Sequence, residues 1–338
     1  AAQIADLYPL SPMQQGMLFH SLYEQGTGNY INQLRVDIDG LDPQRFQQAW
    51  QAAMDNHDIL RTGFVWQGLE HPLQWVLKQA QVPFTVYALG SHDAPQLDAL
   101  ALAELQRPFE LDQAPLLRLV LVQTGAERYH LIYTVHHILM DGWSNSQLMG
   151  QVLQHYSGQV VTANTGRYRD YIAWLQQQDS AASQRFWQEQ LRDLESPTLL
   201  GQSVAQVPGE GHGEYRKVIE PATTERLNTF ARQQKVTTNT LVQAAWLLLL
   251  QRYTGQATVC FGATVAGRPA QLNGVEQQIG LFINTLPVAA SPRPEQSVAQ
   301  WLQQVQAQNL SLREHEHTPL FETQRQAGVG GESLFDNI

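Results

Sequence analysis

The sequence predicts a mixed α/β (α+β) fold in two lobes with a similar make-up of helices and strands. Three observations carry that prediction. Strand-length runs of alternating apolar residues recur beside runs with helical spacing; the same mixture fills both halves without a short-period repeat; and a polar, glutamine-rich stretch lies between the halves. At 338 residues and 43% hydrophobic side chains, the chain has material for two packed cores. The boundary is placed around residues 170–185, which divides the chain into lobes 1–175 and 176–338.

In the first half, Leu34, Val36 and Ile38 alternate with polar residues and meet Gly40, the pattern of a half-buried strand ending in a turn. A helix follows. Asp42 caps it, Pro43 suits its first turn, and Phe46, Trp50, Ala53 and Met54 form one stripe. Strands at 116–122 and 129–135 flank QTGAER and predict a hairpin. After DGWS, the positions Leu148, Met149, Val152, Leu153 and Tyr156 mark an amphipathic helix, and YRDYIAWLQQQ marks another.

A surface loop rich in Gly, Pro and Ser is expected near residues 200–214. Beyond it come helices at 223–233 and 239–253, strands at 257–265 and 281–289, and a helix at 297–311. The core face of the 239–253 helix is read as Leu241, Ala244, Ala245, Leu248 and Leu249. SLFDNI at the far end has the look of a further strand in progress.

With 31 acidic against 21 basic residues, the net charge of −10 attracts neither nucleic acid nor anionic membranes. The densest apolar run, AAWLLLL, is far short of the roughly 20 residues of a spanning helix. Cys260 is the one cysteine, which excludes an internal disulfide and a multi-cysteine metal site, and its ATVCFGATV setting reads as a buried thiol. AAQIADLYPL shows no secretory signal. These features together place the chain in the cytoplasm.

The chemistry concentrates in HHILMDG, residues 136–142, at a strand-to-helix junction. Side chains alternate along a strand, so His137 shares a face with Leu131, Tyr133 and Val135, while His136 points away with Ile132 and Thr134. His137 is nearer the turn and is the candidate active histidine; His136 packs behind the strand. Asp141 and Gly142 follow as a DG pair in which glycine supplies a positive φ and the carboxylate fixes the backbone. A histidine pair alone is more often structural, but Asp and Gly at these offsets favour a site.

HHILMDGWS resembles the HHxxxDG signature of condensation domains of non-ribosomal peptide synthetases, which chloramphenicol acetyltransferase-like acyltransferases share. Five further segments resemble condensation domains in order: LSPMQQGMLFH (10–20), NHDILRTGF (56–64), YRDYIAW (168–174), IGLFINTLPV (279–288) and HTPLFETQR (317–325). Ala289 departs from the Arg that often closes the fourth. The resemblance implies two chloramphenicol acetyltransferase-like lobes forming a V-shaped pseudo-dimer, with the second lobe truncated at its C-terminal end. It also implies amide-bond formation. An upstream carrier protein presents an acyl or peptidyl thioester on a phosphopantetheine arm, and a downstream carrier presents the aminoacyl acceptor, beside an adenylation domain. The chain itself binds no cofactor and works as a monomer.

By the same carry-over, His137 acts as a general base or hydrogen-bond donor, Asp141 is structural with Arg61 as its ionic partner, and Gly142 lies where the pantetheine arm passes. Ser11, Gln14, Asn284 and Thr285 are polar residues in apolar segments and so candidates to line the substrate tunnel, with Trp143 and Ser144; capping or ladder hydrogen bonds explain the first four equally well. Trp143 reads first as a packing anchor. The wording of SPMQQGMLFH and HTPLFETQ points to a donor ending in a D residue. The rivals are an epimerisation domain and a silent carrier-binding module. No GxSxG elbow supports a hydrolase, and HEH (315–317) is not read as a metal site.

Overall fold

The computed structural model describes residues 3–23, 28–88, 93–162, 166–204, 213–330 and 333–338. The chain divides into two compact units. The first comprises Ala1–Gln178 and Arg268–Ile283; the second comprises Asp179–Gly267 and Asn284–Ile338. The halves expected from the sequence are therefore not contiguous: the boundary near 178 lies in the polar stretch, but 268–283 packs in the first unit. The reason is apolar, since Val275, Ile279, Leu281 and Phe282 are buried in that unit's core.

In chain order the first unit begins with β1 (Ile4–Pro9), α1 (Pro12–Tyr23), β2 (Ile31–Asp39) and α2 (Pro43–Asn56). It continues with β3 (Thr62–Val65), β4 (Leu73–Leu77), β5 (Phe84–Tyr87) and α3 (Ala94–Gln106). β6 (Leu117–Gln123), β7 (Arg128–His136), α4 (Gly142–Tyr156) and α5 (Tyr168–Gln176) complete it. The expected hairpin is β6–β7, antiparallel. It forms the middle of a four-stranded sheet ordered β2-β7-β6-β5, in which β5 runs parallel to β6 through α3. A second sheet has the order β1-β4-β3.

Period-two alternation sorts the main sheet into two faces. Leu119, Leu121, Leu131, Tyr133 and Val135 face one way and share a core with Trp50 and Ala53 of α2 and Leu148 and Val152 of α4. Val120, Val122 and Ile132 face the other way, against Ala101 of α3. Each fully buried side chain of this size stabilises the fold by about 1.5–3 kcal/mol. Asp42 caps α2, as its sequence suggests, by accepting from the amides of Gln44 and Arg45. Leu153, placed on the core stripe of α4 by the sequence, is 59% exposed instead.

The second unit holds α6 (Ser180–Leu191), α7 (Leu200–Ser203), α8 (Pro221–Gln233) and α9 (Thr238–Thr254). β8 (Val259–Val265) pairs antiparallel with β9 (Asn284–Ala290), and α10 (Val298–Leu312) and α11 (Leu320–Ala327) follow. Most of the loop expected at 200–214 lies outside the described residues. SLFDNI makes an isolated bridge between Thr198 and Phe335 rather than a strand, with Leu334 and Phe335 buried.

The core face of α9 is Thr240, Ala244, Leu247 and Leu250, while Leu248 and Leu249 are exposed, so the expected stripe is out of phase by about one residue. A run of seven apolar residues has no polar position to set the phase. Cys260 is fully buried between Val259 and Phe261 in β8, and burial pushes its thiol far above the ordinary range.

Candidate active site

β7 ends at His136, and five residues later Asp141 caps α4, its carboxylate accepting from the amide of Ser144 at 2.9 Å. Between these points the chain makes a tight turn, with Leu139 N–H donating to His136 O at 3.2 Å. Within residues 129–141 every residue is buried except His137, which keeps part of its surface. That contrast leaves His137 the accessible ring of the pair. His137 N–H donates to Tyr30 O at 2.7 Å, and its Nδ1 lies 2.8 Å from Met140 O. A carbonyl only accepts, so Nδ1 carries a proton, and in the neutral ring Nε2 is the acceptor.

His136 is 4% exposed, and its ring lies near Tyr30 and Phe109. Burial, with a smaller push from His137, lowers its pKa to about 4. At neutral pH it is an uncharged ring, and it accepts Ile138 N–H on Nδ1 at 3.0 Å.

Asp141 is 2% exposed and is the hub beneath the turn. Beyond the cap, its second oxygen accepts from the amides of Phe282 at 3.0 Å and Ile283 at 3.3 Å, and its own N–H donates to Gly280 O. Ser144 Oγ donates to Gly280 O at 2.7 Å and accepts from Gly280 N–H at 3.0 Å. Arg268 donates to Ser144 Oγ at 2.7 Å, lies 3.6 Å from Asp141, and sits 4.3 Å over the ring of Phe282. Burial lowers the guanidinium's pKa, and Asp141 opposes that shift. These contacts hold the 268–283 segment against the start of α4.

The sequence pattern of the Condensation domain family matches residues 4–338. The chain belongs to the condensation domain family. A linear gramicidin synthase protein of Brevibacillus parabrevis is 41% identical over 350 residues, covering 99% of this chain and 7% of that protein. A second linear gramicidin synthase protein of the same organism is 42% identical, covering 95% and 4%, and the chondramide synthase of Chondromyces crocatus is 36% identical, covering 99% and 10%. This condensation domain thus spans a tenth or less of these relatives. Among solved structures, the condensation domain of a monacolin K polyketide synthase matches with a TM-score of 0.81 at 18% identity, covering 98% of this chain and 78% of that one. The first condensation domain of the calcium-dependent antibiotic synthetase matches at 0.76 and 20%, covering 98% and 80%. The fold is the chloramphenicol acetyltransferase-like one.

Several residue assignments change in this condensation domain. Arg61 is not the partner of Asp141: it pairs with Asp58 at 2.8 Å and donates to the carbonyls of Met54, Asp55, Leu77 and Lys78. It lies at the end of a short 3-10 turn directly after α2, where the helix's last carbonyls need donors. Arg268 takes the expected role. Gly142 does not use a positive φ; it opens α4 as its first helical residue, and a Cβ there would meet nothing within 4 Å. Trp143 is not a packing anchor, being 58% exposed with Nε1 donating to Glu276 O.

Ser11 and Gln14 are buried and cap the start of α1 reciprocally, Ser11 Oγ accepting from Gln14 N–H and Gln14 Oε1 from Ser11 N–H. Gln14 also exchanges hydrogen bonds with Gln74. Asn284, in the second unit, donates to the carbonyls of Glu316 and Thr318, and Thr285 pairs with Thr264 in the β8–β9 ladder. His315 and His317 both hydrogen-bond Ser183 of α6. Ala289 is buried, and its carbonyl accepts from Gln308 of α10.

Arg268 and Gly280 went unread in the sequence. The available signal was the glycine: a Cβ at Gly280 would lie 2.5 Å from the ring of Tyr168, so only glycine lets this backbone reach Ser144.

Proposed function

We propose that this condensation domain forms a peptide bond between two carrier-bound substrates, the free amine of an aminoacyl thioester attacking the thioester carbonyl of an acyl or peptidyl donor. The observation that carries it is the partly exposed His137 ring, whose Nδ1–H is committed to Met140 O and whose Nε2 is left as acceptor. An α-amine, with an ordinary pKa near 8, is partly neutral at physiological pH, and a thioester is already activated, so orientation supplies much of the rate. The C–N bond forms, the C–S bond breaks, the proton leaves the nitrogen towards Nε2, and Nε2 returns it to the departing thiolate, so that the donor arm leaves as a thiol.

In this reading an upstream and a downstream carrier protein deliver the substrates on phosphopantetheine arms, next to an adenylation domain. Gly142 leaves room where an arm passes, and SPMQQGMLFH with HTPLFETQ assigns a donor ending in a D residue. Asp141, Ser144 and Arg268 fix the turn with buried side chains.

The test supplies donor and acceptor carriers loaded with aminoacyl-pantetheine and follows the condensed product by mass spectrometry. Folded His137→Ala is expected to lose about 10²–10⁴-fold in rate; unchanged turnover removes the assignment. D- and L-terminated donors decide the subtype, and racemisation of one loaded carrier without condensation identifies an epimerase instead.

A further inference from the structure

We propose that Ser21 is a positioning residue: its hydroxyl accepts the Nε2–H of His136 and so stabilises the tautomer that Ile138 N–H specifies, and with it the turn that aims His137. Ser21 lies near the C-terminal end of α1, and its Oγ is 3.3 Å from His136 Nε2. A backbone N–H only donates, so the 3.0 Å contact from Ile138 N–H makes His136 Nδ1 an acceptor. The neutral ring's one proton is therefore on Nε2, and Ser21 Oγ receives it. The next histidine has the reverse arrangement, with its proton on Nδ1 facing Met140 O. Two adjacent rings thus carry opposite tautomers, each specified by a partner that can play only one role.

The consequence runs through the turn. His136 Nδ1 holds Ile138 N–H, and His136 O holds Leu139 N–H, so this one residue anchors the backbone that leads to the Met140 carbonyl. That carbonyl in turn accepts Nδ1–H of His137, which makes Nε2 the acceptor nitrogen of the neutral ring. Without the Ser21 hydroxyl, the buried Nε2–H of His136 has lost its acceptor. A ring with its proton on Nδ1 then competes, and it cannot receive Ile138 N–H.

The value of Ser21 to the reaction rests on the function proposed for His137, but its effect on the ring does not. The first measurement is therefore two-bond ¹H–¹⁵N correlation of the imidazoles in the intact chain without substrate. The wild type is expected to show His136 protonated on Nε2 and His137 on Nδ1; Ser21→Ala is expected to mix the His136 pattern, and Ser21→Thr to restore it. The second measurement is condensation, where Ser21→Ala is expected to lower kcat about 10-fold at unchanged KM for the loaded carriers, through misplacement of the ring. Ser21→Thr should recover most of that loss.

A His136 ring in the wild type protonated on Nδ1, or a Ser21→Ala spectrum identical to wild type, overturns the proposal. So does a folded Ser21→Thr that stays as slow as Ser21→Ala. Should the tautomers respond as stated while the wild type forms no amide, the Ser21 assignment stands and the peptide-bond function falls.

Discussion

Gly142 is a residue whose identity nothing in the protein's own packing demands. Its backbone is helical and the space beside it is open, so Gly142→Ala is expected to leave the melting temperature within about 3 °C of wild type, or slightly above it, since Ala is the better helix former. If a pantetheine arm passes there, the added methyl lowers kcat/KM for loaded carriers at least about 10-fold. Equal turnover by the two proteins returns Gly142 to the status of a simple helix start. His136 makes a different prediction, about acid. Its pKa is about 4 in the folded chain and near 6.5 when unfolded, so between those values the unfolded state binds the proton and the folded state does not. Stability present above pH 6.5 is lost as the pH falls towards 4, by about 3 kcal/mol from this ring. Burial shifts His57, His315 and His317 in the same direction. The measurement is thus the difference between wild type and His136→Gln in urea unfolding at pH 7, 5.5 and 4, and a constant difference refutes it.

At the scale of elements, the start of α4 and the returning 268–283 segment behave as one joint. Removing Arg268 leaves Asp141 buried with its three backbone donors but no counter-charge, and such a loss costs about 3–5 kcal/mol. In a double-mutant cycle of Asp141→Asn with Arg268→Met, the coupling energy is expected at about 1–3 kcal/mol, whereas Asp141→Asn with Arg61→Met should be additive within about 0.5 kcal/mol. The opposite pattern would restore Arg61 as the partner. Much of this half was legible in the sequence, because alternation in β6 and β7 and the Asp42 cap are local signals. The same alternation put the two rings on opposite faces, and nearness to the turn singled out His137, the ring that is partly exposed. What could not be read was phase and distance. The AAWLLLL run of α9 holds no polar residue to fix its buried face, and an ion pair between segments as remote as 141 and 268 leaves no trace in spacing. Ser11 and Gln14 looked like tunnel residues for a related reason: a capping box and a substrate contact both require polar residues in apolar surroundings.

At the scale of the molecule, the division of the chain is itself testable, because the first unit takes two separated stretches. A fragment ending at Gln178 lacks Arg268 and Gly280, and with them the partners of Ser144 and Asp141. It also lacks the buried Val275, Ile279, Leu281 and Phe282, so it exposes apolar surface that the unit normally covers. Fragment 1–178 is therefore expected to bind a hydrophobic dye strongly and to exchange the amides of Ser144 and Asn145 quickly. The same fragment joined to 268–283 through a long Gly/Ser linker should bind less dye and protect both amides, since the second stretch restores the contacts that hold Asp141, the acceptor of both amides, in place. If the two fragments exchange and bind dye alike, residues 1–178 form a unit alone and the returning segment is an ornament rather than part of the core. The turn that carries His137 is backed through Asp141 by residues more than a hundred positions away, so the support beneath it is complete only once the chain has run past Ile283.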